Sequence, residues 1–146
     1  MTNEVITARL ELKELVDRFS DLSDLRDANG LSELFLPDGV LEYQTGFDGE
    51  IGKIEGRKNL LPAFNATLAN GKALYHINGQ QIVTVNGNTA EGISYCQASF
   101  VNDEDGKTVI TANSIRYSDI YEKRDGKWYI KRRRSIFLIS EKREMR

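Results

Sequence analysis

The chain is short of the residues that hold metals, crosslinks and sharp bends: among 146 residues it has one cysteine, one histidine and two prolines. Cys96 has no partner within the chain, which excludes an internal disulfide, and one Cys with one His cannot supply the usual ligands of a zinc site. No apolar run approaches the roughly 18 residues needed to cross a bilayer, and Met1-Thr2-Asn3-Glu4 is not a basic segment followed by an apolar one. A formal charge of -2 is too small to recruit nucleic acid or an anionic membrane. The expectation is a cytoplasmic protein with no metal, nucleic-acid or membrane partner.

What is present suits one globular unit. A chain of this length buries roughly 70% of its unfolded surface, so a single domain over residues 1–146 needs no covalent staple. From Thr7 to Leu25, Leu12, Leu15, Val16, Phe19 and Leu22 recur at three- and four-residue steps, which predicts an amphipathic helix. Its acidic positions, Glu11, Glu14, Asp17, Asp21 and Asp24, read as a solvated face. Asp27-Ala28-Asn29-Gly30 breaks that helix, and Leu31 to Phe35 allows one or two further turns before Pro37-Asp38-Gly39. Val40–Gln44 and Glu50–Ile54 form a predicted hairpin, and Gly56 to Asn70 a third amphipathic segment.

Beyond Asn70 the sequence reads as strand. Four long segments are separated by Asn86-Gly87-Asn88, Asp103-Glu104-Asp105-Gly106 and Arg124-Asp125-Gly126, each with turn chemistry. Twist accumulates in strands of this length, so the meander is expected to curl, with the helices closing its open side. Cys96 falls in the second strand and reads as a small buried hydrophobe. The last strand contains Lys131-Arg132-Arg133-Arg134, but alternation divides this run between two faces, and Lys142, Arg143 and Arg146 lie in a tail expected to fray.

The first of the four strands, ALYHINGQQIVTV from Ala73 to Val85, carries His76. Strict alternation places Leu74, His76, Asn78, Gln80, Ile82 and Thr84 on one face, and Tyr75, Ile77, Gln81, Val83 and Val85 on the other. The His76 side is the more polar and is expected to line a cavity. The apolar set Tyr75, Ile77, Val83 and Val85 is then free to make a homodimer.

Four segments, LRDANGLSELFLPDGVLEY, EGRKNLLPAF, YHINGQQIVTVNGNTAEGISY and RYSDIYEKRDGKWYIKRR, stand in the order found in a known superfamily. Together they resemble the nuclear transport factor 2-like (cystatin-like α+β cone) superfamily, most closely its SnoaL-like members. The resemblance implies an α+β fold in which a strongly curved mixed or antiparallel sheet forms a cone closed by about three N-terminal helices. It is far less specific for activity, because the superfamily holds dehydratases, isomerases, cyclases and non-catalytic binders.

In scytalone dehydratase and hexachlorocyclohexane dehydrochlorinase, an aspartate after the first helix pairs with a histidine early in the first long strand. Asp27 and His76 match those positions, which implies a general base and its orienting partner, working without metal or cofactor on a small, largely apolar molecule in a lyase or isomerase reaction. Arg26 stands where scytalone dehydratase has a tyrosine, and no second histidine is present, so that enzyme's own reaction is not implied. Polyketide cyclases of the SnoaL type use an acidic base, for which Asp119 is the candidate. Asn113, Tyr117, Asp119 and Tyr121 share a strand face. Tyr43, Tyr95 and Tyr117 are candidate hydrogen-bond donors to developing charge, as a tyrosine is in ketosteroid isomerase of the same superfamily, and Asn78 is another. The residues also fit a non-catalytic ligand-binding or assembly module, in which His76 is a hydrogen-bonded pocket residue and Asp27 only starts a turn.

Overall fold

The apolar stripe of Leu12, Leu15, Val16 and Phe19 is buried along one side of α1 (Asn3–Asp24) in the computed structural model, which describes residues 1–146. Thr2 caps this helix by accepting a bond from the Val5 amide at 3.2 Å. A short α2 (Ala28–Glu33) follows, capped by Asp27. The strand β1 (Phe35–Thr45) pairs with the short edge strand β2 (Gly52–Glu55), and α3 (Arg57–Leu68) packs on α2 and β1.

The remaining chain is β3 (Ala73–Asn86), β4 (Thr89–Glu104), β5 (Lys107–Arg124) and β6 (Lys127–Glu144), joined as a meander. Asp105-Gly106 and Asp125-Gly126 have positive φ at both positions, the backbone that a two-residue hairpin turn requires. The six strands form one mixed sheet in the order β2-β1-β6-β5-β4-β3, with only β1 and β6 parallel. The sheet does not close into a barrel. Bulges between Asn78 and Gln81, Ser114 and Ile115, and Ile120 and Tyr121 bend it, and the helices sit over its concave side. No helix is long and apolar enough to cross a membrane.

Two expectations are corrected. The tail does not fray after Ile139: β6 stays paired with β5 as far as Val109 opposite Glu144. Nor does alternation run unbroken through β3. Gly79 and Gln80 together face the single residue Tyr95, because Asn78 pairs with Cys96 and Gln81 with Ser94. An extra residue shifts the alternation by one. Gln81, Val83 and Val85 therefore turn inward with Leu74, His76 and Asn78, and Val83 joins the core, while Ile82 turns outward with Tyr75 and Ile77. The set Tyr75, Ile77, Val83 and Val85 does not form one outer face.

Candidate functional site

The site is built on a polar seam between α1 and β3, which run antiparallel. Arg9 donates to the Val83 carbonyl at 3.3 Å and Gln81 to the Leu12 carbonyl at 3.4 Å. Asn78 donates to the Val16 carbonyl and the Asp17 carboxylate at 3.3 and 2.9 Å, and accepts from Ser20 at 3.0 Å. The lengths agree: Arg9 to Asp24 spans about 22 Å of helix, and Val83 to His76 about 23 Å of strand.

Asp24 and His76 close the seam. One carboxylate oxygen of Asp24 accepts from the His76 backbone amide at 3.1 Å, and the other lies 2.6 Å from Nδ1 of the ring. A carboxylate can only accept, so this contact puts a proton on Nδ1, and in the neutral ring the Nε2 lone pair is then free. Nε2 has no partner in the chain, yet it is not among the sealed, unpartnered polar atoms. The imidazole is 8% exposed and Phe100 stands edge-on to it, with ring centres 6.0 Å apart.

His76, Ala98, Asn113 and Ser140 lie opposite one another across four strands. Ser140 donates to the Asn113 side-chain oxygen at 2.6 Å, which leaves the amide nitrogen of Asn113 directed elsewhere and without a partner. Cys96, Ala98, Ile115 and Tyr117 form a small apolar cluster on this part of the sheet, with Phe100 and Phe137 packed against it.

Deeper in the cone the interior is filled and charged. Arg133 donates to both oxygens of Asp119 at 3.0 and 2.9 Å, and Tyr121 donates to one of them at 2.7 Å. The guanidinium packs against the rings of both Tyr117 and Phe19, 3.8 and 4.3 Å from their centres. Burial pushes the Tyr117 and Tyr121 phenols well above their ordinary values, and the nearby Asp119 charge adds to the shift of both. Burial alone would lower the Arg133 pKa, but the charge and hydrogen bonds of Asp119 outweigh it. Burial also raises the Cys96 thiol. Clefts of about 510 Å³, between the start of α1, the β3–β4 turn and Trp128, and of about 460 Å³, between α1, α2 and Trp128, lie elsewhere. Neither contains His76.

A model of the SnoaL-like domain matches residues 4–134. The chain belongs to the SnoaL-like domain family. This places it in the nuclear transport factor 2-like superfamily, as its four sequence segments imply. An uncharacterized protein of Mycobacterium tuberculosis is 28% identical over 130 residues, covering 88% of this chain and 84% of that protein. A scytalone dehydratase-like protein of Novosphingobium aromaticivorans superposes with a TM-score of 0.81 at 19% identity, over 100% of this chain and 94% of its own. A hexachlorocyclohexane dehydrochlorinase of type 2 gives 0.75 at 17% identity, over 97% and 90%. The two structural likenesses concern the fold.

Within this SnoaL-like frame, His76 has a carboxylate partner, but not the one the sequence suggested. Asp27 does not meet His76: its carboxylate accepts from the Gly30 amide at 2.9 Å and caps α2. The partner is Asp24, one turn earlier, which the acidic pattern had assigned to the solvated face. Asp119 is unavailable as a base, because Arg133 and Tyr121 occupy both its oxygens and it is buried. Asn78 is spent on α1. Tyr43 is half exposed and lies against Gly52 at the sheet edge, and Tyr95 lines a cleft with Ile77, Gln97 and Leu138. Tyr117 does face inward, but beneath Arg133 rather than beside His76. Of the candidate substrate contacts, only Asn113 shares a row with the imidazole.

Proposed function

We propose that this SnoaL-like protein is a lyase or isomerase that removes a proton from carbon in a small, largely apolar molecule, with His76 as general base. The observation that carries the reading is the Nδ1 to Asp24 contact of 2.6 Å together with an unpartnered Nε2. In the proposed step, the Nε2 lone pair takes a proton from a carbon beside a carbonyl or a leaving group. The C–H electron pair then moves to the carbonyl oxygen or expels the leaving group, while Asp24 balances the imidazolium. Asn113 is the proposed donor to the developing negative charge, because a molecule lying over Ala98 has the imidazole on one side and the free amide nitrogen on the other. Phe100 and Phe137, both partly buried, pack against the cluster that includes Ala98. The folds of scytalone dehydratase-like and dehydrochlorinase structures support this reaction class.

The test is solvent deuterium incorporation into a panel of small cyclic ketones, followed by NMR. His76→Ala and Asp24→Asn are expected to lower the rate by about 100-fold or more. Equal rates for the wild type and His76→Ala would end the reading.

The filled lower cone favours a second reading. Arg133, Tyr117 and Tyr121 occupy the space that a deep pocket would need, and the two clefts beside Trp128 lie away from His76. A non-catalytic module that binds a ligand or a second copy of itself accounts for both facts. In that case no ketone exchanges, and His76→Ala changes only stability.

A further inference from the structure

α1 stops in a defined way: the Asp27 amide bonds the Leu22 carbonyl at 2.9 Å, and the Arg26 amide bonds that of Ser23 at 3.1 Å. This stop needs one residue in the left-handed region, where glycine is the usual occupant because a Cβ is disfavoured. Here the position is held by Arg26, at φ 60°. Its guanidinium crosses to the end of α3, donating to the Leu68 carbonyl at 3.2 Å and the Gly71 carbonyl at 2.6 Å. There a cation also meets the negative end of the helix dipole. The next residue, Lys72, is fixed in turn, its amide on the Val101 carbonyl and its ammonium 2.9 Å from Asp103. Arg26 thus ties the chain just after Asp24 to the chain just before His76.

We propose that Arg26 is a positioning residue for the His76–Asp24 pair, holding the last turn of α1 against the start of β3 so that Asp24 stays on Nδ1. This rests on reading the pair as a base and its orienting partner. The Asn78 bonds to Val16, Asp17 and Ser20 anchor α1 one turn earlier. Loss of the Arg26 clamp therefore frees the final turn and leaves the rest of the seam in place.

The chain has one histidine, so long-range ¹H–¹⁵N spectra of uniformly labelled protein report this ring alone. The wild type is expected to show the Nδ1–H tautomer with a slowly exchanging proton. Arg26→Gly keeps the left-handed backbone and removes the clamp; it is expected to give mixed tautomers and exchange at Nδ1 that is faster by about tenfold or more. Arg26→Asn also tolerates that backbone and is too short to reach α3, so it is expected to give the same result should the glycine variant fold poorly. Arg26→Lys, which retains a donor, is expected to recover most of the wild-type signature. Ring signals unchanged in both the Gly and Asn variants overturn the proposal whatever the turnover. Ring signals that change, alongside a His76→Ala variant of undiminished ketone exchange, uphold the positioning role and remove the base assignment instead.

Discussion

Arg133 on β6 and Asp119 on β5 form a two-bond ion pair with no exposed side-chain surface on either partner. A pair of this kind is costly to break from one side, because the remaining charge has no water to turn to. Asp119→Ala is expected to destabilise the protein by about 3–5 kcal/mol in urea unfolding. The double variant Asp119→Leu/Arg133→Met, which removes both charges, is expected to lose far less. A single variant within about 1 kcal/mol of the wild type would show that the pair contributes little beyond packing.

The same cluster sets an alkaline limit. Tyr117 and Tyr121 have folded-state pKa values raised by burial, so the folded state holds these protons more tightly than the unfolded chain does. That contribution is intact below the ordinary phenol value of about 10 and is lost as pH rises beyond it, because only the unfolded chain releases the protons there. In an alkaline titration followed at the phenolate absorbance, these two phenols are expected to ionise together with the loss of the circular dichroism signal. Their smooth titration in a protein that stays folded would contradict the sealed interior.

Asp24 and Asp27 lie one turn apart and are expected to fail differently. Asp27→Ala removes the α2 cap, at a cost of about 0.5–2 kcal/mol, and is expected to leave the His76 ring spectrum as it is. Asp24→Asn keeps α2 and is expected to lose the Nδ1–H tautomer. Reversed results would return the orienting role to Asp27.

That contrast also marks how far the sequence could be read. Turn dipeptides such as Asp105-Gly106 and Asp125-Gly126 announce the hairpins, and the spacing of Leu12, Val16 and Phe19 announces α1, so the architecture is legible. The partner of His76 was hidden because Asp27 sits in a turn pattern, while Asp24 looks like one more acid on a solvated face. A signal existed: Leu12, Val16, Ser20 and Asp24 follow one another at four-residue steps, a single ridge of the helix, and that ridge packs on β3. Gly79 likewise hints at a bulge, but strict alternation hid the switch that sends Val83 inward and Ile82 outward. The fate of Asp119 depended on which arginine of the basic run faces in, and the extra residue Lys131 on β6, between Ile130 opposite Tyr121 and Arg132 opposite Ile120, decides that.

The corrected alternation of β3 redraws the surface available for self-association. Tyr75, Ile77 and Ile82 are 60%, 53% and 70% exposed, all on a strand at the sheet's edge. An apolar patch on an open edge strand is a liability for a monomer in water, and we propose that a second copy presenting the same patch covers it with a symmetric interface. On this proposal, light scattering is expected to give twice the chain mass of 16.5 kDa at micromolar concentration. Ile82→Lys places a charge on each of the two copies and is expected to give the single-chain mass with little change in unfolding free energy, because Ile82 contributes little to the core. A wild-type mass of one chain under those conditions would mean that the patch serves another purpose or none.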